Sequence, residues 1–358
     1  MAFHTIPGRL LPLAALCILL VSCIALCVEA SGDKLFVVPN SAVGSKADCS
    51  EDFPCSLEHA LAVAGAEAEL EISEGHYDGN VVIHANQTGL SLNGAGASLT
   101  LIHSAGLVVN GNEIVLDVRA EDFSANRIGF AQTWNESNTA NVTAQIGVLI
   151  RDTAIGARLD EVLVLYNSSG DTSTSRGVVI AGAPEVELKK TAVVGPWQDG
   201  IHLISSSSKV KQGLVDGATR IGIALINTNV SASSENKIKQ VTIRNIGDGS
   251  TFGTAIEVQG NNNHVKEGEI SNWGKYGIHV CGEAGPDKCD PCHYSAAVEE
   301  LPDSDPLRTA RHTSIKGVDF FGEPGQIRVC DGGEETKVKR VQVIREAPEE
   351  EREVVVVI

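Results

Sequence analysis

The sequence predicts an all-β chain in which short parallel strands coil into a solenoid, and three observations predict it. One stretch repeats at a fixed offset: Asn236-Lys-Ile-Lys-Gln-Val-Thr-Ile-Arg-Asn245-Ile-Gly247 recurs 27 residues later as Asn263-His-Val-Lys-Glu-Gly-Glu-Ile-Ser-Asn272-Trp-Gly274. A second unit reads small residue, apolar, any, apolar. It starts at Gly147, Gly177, Gly200, Gly222, Ala255 and Gly277, at intervals of 30, 23, 22, 33 and 22 residues. The core is aliphatic: 42% of the 358 residues are hydrophobic but only 4% aromatic, with 36 Gly and one Met. That composition suits stacked strands better than a helical bundle. Strands that return after about 22 residues leave no room for a crossover helix. Each must therefore bury itself against its own copy in the next coil.

Along the chain, residues 1–30 read as a secretory signal peptide, with Arg9, an apolar run over 10–28, and small residues at Val28 and Ala30 where a signal peptidase cuts. The run also approaches the length of a membrane anchor; Pro12 and the cleavage site favour removal and secretion. The solenoid occupies 31–345, with a Pro- and Asp-rich insertion over 282–311 that carries a helical turn near 296–301. Leu35-Phe-Val-Val38 opens it as a strand, and Ser56 N-caps a short helix carrying Glu58, His59 and Ala60. The strand units follow, closing with Gln326-Ile-Arg-Val329 and a third copy of the longer repeat, Thr336-Lys-Val-Lys-Arg-Val-Gln-Val343. Asn245 and Asn272 fall at turns, where their amides stack and bond to one another and to the backbone. The tail, 346–358, is acidic over 349–353 and apolar over 354–358. An apolar edge strand needs cover, so either the tail folds over the end of the stack or a partner covers it.

Three of the nine cysteines lie in the signal segment, leaving six. An even number in an exported chain reads as three disulfides. Cys281 follows Val280 and Cys330 follows Val329, the same place in consecutive coils, a separation that suits a bridge. The expected pairs are Cys281 with Cys330, Cys289 with Cys292, and Cys49 with Cys55. Zinc at Cys289-x-x-Cys292 is the alternative, disfavoured by an oxidising compartment and the lack of a second close pair. Glycosylation sequons start at Asn86, Asn135, Asn141, Asn167 and Asn229. The 28 basic and 46 acidic residues give a net charge of −18. That balance argues against nucleic-acid partners and against anionic membranes, leaving none beyond the signal peptide.

With these elements in place, residues 34 to 345 resemble the right-handed parallel β-helix superfamily, the pectin-lyase-like fold. The N-terminal series carries the likeness too: Leu35-Phe-Val-Val-Pro39, Cys49 to Leu57, Ala60-Leu61, Glu71-Ile72 and Gly75-His-Tyr77. The resemblance implies an opening strand, a short helix capping the core, a Gly-x-Tyr turn, and substrates lying along the face of the Gly-Ile-x-Val strands. It implies a fold and no single activity.

On that face, the residue between two inward apolar positions points outward. The column reads Leu149, Val179, His202, Ala224, Glu257, His279 and Arg328, at about 4.8 Å per coil. Asp199, Arg220, Lys275 and Tyr276 flank the strand starts. A carboxylate beside an imidazole orients it for proton transfer. The catalytic candidates are His202 or His279 as base or acid, Tyr276 as proton partner and Glu257 as orienter. Asp199, Arg220, Lys275 and Arg328 are the substrate-binding candidates, the cations clamping a carboxylate. Loops over 132–145, 168–176 and 248–253 enter at one turn and wall the face. Of the polygalacturonase-like motifs only Asp199-Gly200 has a counterpart, so a paired-carboxylate hydrolase is disfavoured. No metal site is legible; calcium stays open as a cofactor, since its ligands could come from separate coils. The expected function is a secreted protein that binds or modifies an extracellular, uronate-containing polysaccharide, by lyase or epimerase chemistry if catalytic. The alternative is a non-catalytic wall, adhesion or surface scaffold.

Overall fold

The computed structural model describes residues 32–40, 48–104, 108–109, 112–132, 144–167, 175–226, 233–247, 253–281, 310–321, 327–331 and 335–344, of which 108–109, 327–331 and 343–344 are described by backbone alone. The signal segment, the insertion at 282–309 and the tail lie outside them, as do Cys289, Cys292, Asn135, Asn141 and Asn229.

Each coil lays down three short strands at angles to one another, as in Lys209–Lys211, Leu214–Asp216 and Ile221–Leu225. Corresponding strands pair in parallel with the coils above and below. Among the described residues this builds sheet A, of eleven strands, and sheets B and C, of ten each. The exceptions to parallel pairing there are the antiparallel strand Val108–Val109 beside Asn112–Val118 and an isolated antiparallel bridge between Arg151 and Gly182. This is the parallel β-helix that the repeats and the resemblance implied.

Period two in the sequence becomes burial. In sheet A the middle residues Leu188, Val210, Ile238, Val265 and Ile315 are each opposite the next and form one buried column. In sheet C, Val178, Ile201, Ile223, Ile256 and Ile278 do the same. Burying each such side chain contributes about 1.5–3 kcal/mol. One left-handed residue turns sheet A into sheet B in successive coils: Lys190, Gln212, Gln240 and Glu267 have φ between 49° and 56°. Asn245 and Asn272 are left-handed too, and stack as expected: the Asn272 amide donates to Asn245 Oδ1 at 2.7 Å. A second, buried ladder lies at the turn into sheet A, where the Ser208 amide donates to Asn236 Oδ1 and the Asn236 amide to Asn263 Oδ1.

The N-terminal end is closed by the helix Leu57–Val63, whose cap Ser56 accepts from the His59 amide at 3.3 Å. Leu57 and Ala60 face the core. Gln87, from the turn after the strand Val81–Ile83, donates to Leu61 O and Ala64 O and holds the helix over the first coil. Cys49 and Cys55 are bridged, with Cα atoms 4.6 Å apart. Gly75-His-Tyr77 is a strand rather than the turn that the resemblance implied. It runs from Gly75 to Asp78 in sheet B, with the buried Tyr77 hydroxyl donating to Ser73 O at 3.0 Å.

The last sheet C strand corrects the expected register. Ile327–Asp331 lies two residues further along its neighbour: Ile278 is opposite Val329 and His279 opposite Cys330. Arg328, between the partners of Tyr276 and Ile278, therefore leaves the His279 column, and Cys330 does not share a position with Cys281. A two-residue shift preserves the in–out alternation, so the apolar pattern fits both registers. Cys281 is disulfide-bonded, but the side chain of Cys330 lies outside the described ones.

Candidate functional site

The sheet C column exists, and glycine builds it. Pairing between strands passes over Gly177 and Gly200, so the residue before each glycine and the third one after it share the outer face. In a straight strand, residues i and i+3 would point opposite ways. Here Asp199 Oδ2 lies 3.1 Å from His202 Nε2, and the rings of Tyr276 and His279 lie 4.7 Å apart. A Cβ on Gly200 would stand 2.5 Å from the Gly222 carbonyl oxygen, and one on Gly177 2.6 Å from that of Gly200. From Gly177 through Gly200 to Gly222 the stacked backbones are thus too close for side chains, while Val115 and Ala255 take the same place in other coils.

The column runs Asp117, Leu149, Val179, His202, Ala224, Glu257, His279, Cys330, each opposite the next. Two groups of candidates assemble on it. Arg220 grips Asp199 with two bonds, Nε to Oδ1 at 2.9 Å and Nη2 to Oδ2 at 2.6 Å, while His202 contacts the same carboxylate. One coil beyond Ala224, Glu257 Oε2 lies 3.9 Å from His279 Nδ1, and Gln259 donates to Glu257 Oε1 at 3.3 Å. Tyr276 packs on His279, and Lys275 Nζ sits 5.2 Å from the Tyr276 ring centre. Arg328 is off this column by its backbone register, and its side chain lies outside the described ones.

Burial decides what these groups can do. Asp199, Glu257 and His279 are 0% exposed, His202 2% and Tyr276 3%. Burial penalises the Asp199 carboxylate, yet His202 and Arg220 outweigh it and hold the carboxyl well below the usual range. The same burial pushes His202 below its ordinary value against the pull of Asp199, leaving the ring neutral at pH 7. A neutral imidazole oriented by an ionised carboxylate is a competent proton acceptor. It must also come within hydrogen-bond reach of a substrate, and a polymer cannot reach a side chain with no exposed surface. Asp117, which the sequence reading missed, is a third buried anion: Arg151 grips both its oxygens at 2.7 and 3.0 Å and Arg119 adds a bond at 2.6 Å. Arg151 ends the neighbouring strand and Arg119 lies two residues beyond Asp117, just past its own strand, and neither recurs as a motif.

The exposed chemistry lies on sheet A. Its outward positions read Lys189, Lys211, Lys239, Lys266, Lys316, Lys339, each directly opposite the next over six strands. Two residues earlier on each strand lies a second column, Glu187, Lys209, Lys237, His264, Ser314, Lys337. The basic run begins where Asp160 meets Lys189 at 2.7 Å. Further N-terminal the same column turns to Asn126, Asn93 and Glu71. Lys211 pairs with Glu187 at 2.8 Å and Lys239 with Glu267 at 3.3 Å. Among the described residues, Lys209, Lys237, Lys266, Lys316, Lys337 and Lys339 have no ion pair. A groove of about 750 Å³ runs over the start of the ladder, lined by Asn126, Arg158, Lys189, Lys211, Lys239 and Gln240 among others.

Like charges facing one another across a sheet destabilise it, by up to about 1 kcal/mol per contact near 4 Å in water. Five consecutive lysine-on-lysine contacts on a chain of net charge −18 thus run against both local energetics and composition. Their sequence signal was in plain view: Lys209-Val-Lys211, Lys237-Ile-Lys239 and Lys337-Val-Lys339 recur at one place in the repeat. The net charge that argued against nucleic-acid and anionic-membrane partners does not exclude a basic line, because a sum of charges does not place them.

Asn86 is exposed in a turn, and Asn167 is exposed just after the strand Leu163–Tyr166. Among the described residues no group of three or more His, Cys, Asp or Glu could hold a metal, and no helix is long and apolar enough to cross a membrane.

No protein-family model matches the chain, and no curated protein matches it. Solved structures do. The Dettilon tailspike protein aligns with a TM-score of 0.52 and 10% identity, over 81% of this chain and 57% of that one. Pectate lyase Pel9A aligns with a TM-score of 0.51 and 10% identity, over 87% and 80%. Pectin methylesterase PemA from Erwinia chrysanthemi follows at 0.46 and 13%, over 87% and 90%. The chain has the right-handed parallel β-helix fold.

Proposed function

We propose that this protein is a secreted β-helix that binds an extracellular polysaccharide without cleaving it. One observation carries the choice of binding over catalysis: the imidazoles and carboxylates that would perform a lyase or epimerase reaction are buried in the sheet C face. Their contacts are those of a structural spine, with Asp199 and Asp117 each neutralised by arginine. The polysaccharide half of the reading draws support from the fold, which a pectate lyase shares, and from a rigid stack that repeats the same side-chain positions at about 4.8 Å. The oriented Asp199–His202 pair favours the second reading, an enzyme whose outer face opens to admit its substrate.

The test is incubation with polygalacturonate and alginate, with and without calcium, followed two ways. Co-sedimentation or calorimetry reads binding, while near-ultraviolet absorbance of unsaturated uronate and the count of reducing ends read chemistry. Binding with a flat product signal is expected. Product formation that disappears in His202→Ala or His279→Ala would replace this reading with the enzyme.

A further inference from the structure

We infer that the lysine ladder of sheet A is the binding surface, and that its ligand is a linear polyanionic polysaccharide carrying a carboxylate or sulfate on each sugar. This rests on the binding function proposed above and supplies its site and ligand class. The ladder presents one ammonium per coil along a straight line, over the six strands from Glu187–Lys189 to Lys337–Lys339. The interval of about 4.8 Å is comparable with the advance of one pyranose residue in an extended glycan. A uronate chain laid along the axis would therefore offer each lysine its own anion.

Three features favour a glycan over other polyanions. The face is polar, and the outward positions of these six strands carry no Phe, Tyr or Trp, with His264 the one ring among them. Binding of single-stranded nucleic acid relies on such rings for base stacking. Exposed Gln212 and Gln240 stand immediately beside Lys211 and Lys239, with Gln240 lining the groove. Their amides supply donors and acceptors for sugar hydroxyls. The sign change at Asp160 and the amide-bearing strands before it limit the anionic stretch to the C-terminal part of the sheet. A ligand of about six sugars fills a ladder of six rungs.

The experiment measures binding of polygalacturonate oligomers of increasing length, sulfated glycan, neutral dextran and single-stranded DNA to the full chain. It compares wild type with the triple variant Lys211→Glu, Lys239→Glu, Lys266→Glu. The control, Lys34→Gln, lies on the same sheet outside the basic run. Circular dichroism confirms folding, and single Lys→Gln variants replace the triple one if it fails to fold. The expected result is affinity that rises with oligomer length to about six residues, weakens with salt, and falls roughly tenfold or more in the triple variant but not in the control. Polyuronate and sulfated glycan distinguish the two sources of charge. Undiminished polyanion binding in the ladder variants overturns the site while leaving the proposed function standing. Binding to dextran alone overturns the ligand class. Tighter binding of DNA than of either charged glycan also overturns it. No binding to any polysaccharide overturns both.

Discussion

Asp199 shows what the column is for at the scale of a single residue. Its carboxylate is fully buried, and the two bonds from Arg220 with the His202 contact satisfy it. Removing one partner of such a pair strands the other, which costs about 3–5 kcal/mol. Arg220→Ala, which leaves the buried Asp199 carboxylate without its cation, should therefore lower unfolding stability by that amount in a denaturant titration, and a loss near zero would contradict the spine. His202 adds a pH dependence. Its folded value lies below 6.5, so the unfolded chain takes up a proton that the folded chain refuses as pH falls under about 6.5. Stability is complete above that value and declines beneath it. His103 and His264 are lowered by burial too and act in the same direction. Thermal unfolding between about pH 7 and pH 5.5 should then fall less steeply in His202→Gln than in wild type. Alternation alone placed His202, Glu257 and His279 on one outer column in the sequence. That these side chains would be buried was not legible, because alternation gives a side chain's direction and not its exposure.

At the scale of the element, the glycine before each inward pair is a structural device. At Gly147, Gly177, Gly200, Gly222 and Gly277 it occupies the place that strand pairing passes over, with positions three apart on one face; Ala255 and Val115 hold the same place in their strands. Gly200→Ala places a Cβ 2.5 Å from the Gly222 carbonyl oxygen and from Val215 Cγ1. Overpacking of this kind costs about 1–3 kcal/mol, and the loss should appear in the same denaturant titration. An equally stable variant would show that the bend tolerates a side chain. The glycine column was legible as part of the repeat, whereas its effect on Asp199 and Tyr276 was not, since a strict period of two puts them on the other face. Register behaved likewise: coils with conserved spacing aligned correctly from their motifs. Ile327–Asp331 follows a long insertion that resets the count, and a shift by two residues leaves the apolar pattern intact.

At the scale of the molecule, the charges are sorted. The chain as a whole is strongly acidic, yet six successive sheet A strands line up lysines on a single face. The solenoid makes this possible. One sequence position in a repeat becomes a line running the length of the stack, so a single recurring Lys becomes an extended ligand site. The fold was legible because the repeat is its direct consequence. The ladder was present in the same repeat but escaped a reading that summed charge over the chain. A basic line on a chain of net charge −18 also favours selectivity, since the net charge opposes polyanions away from it.

The measurement that tests this account most directly is lysine footprinting. The protein is acetylated briefly with and without polygalacturonate, and each site is quantified by mass spectrometry. The account predicts that Lys209, Lys211, Lys237, Lys239, Lys266 and Lys316 become protected while Lys34 and Lys275 react as before. Protection centred on Lys275, with the ladder lysines unchanged, would place the polymer on sheet C and contradict it.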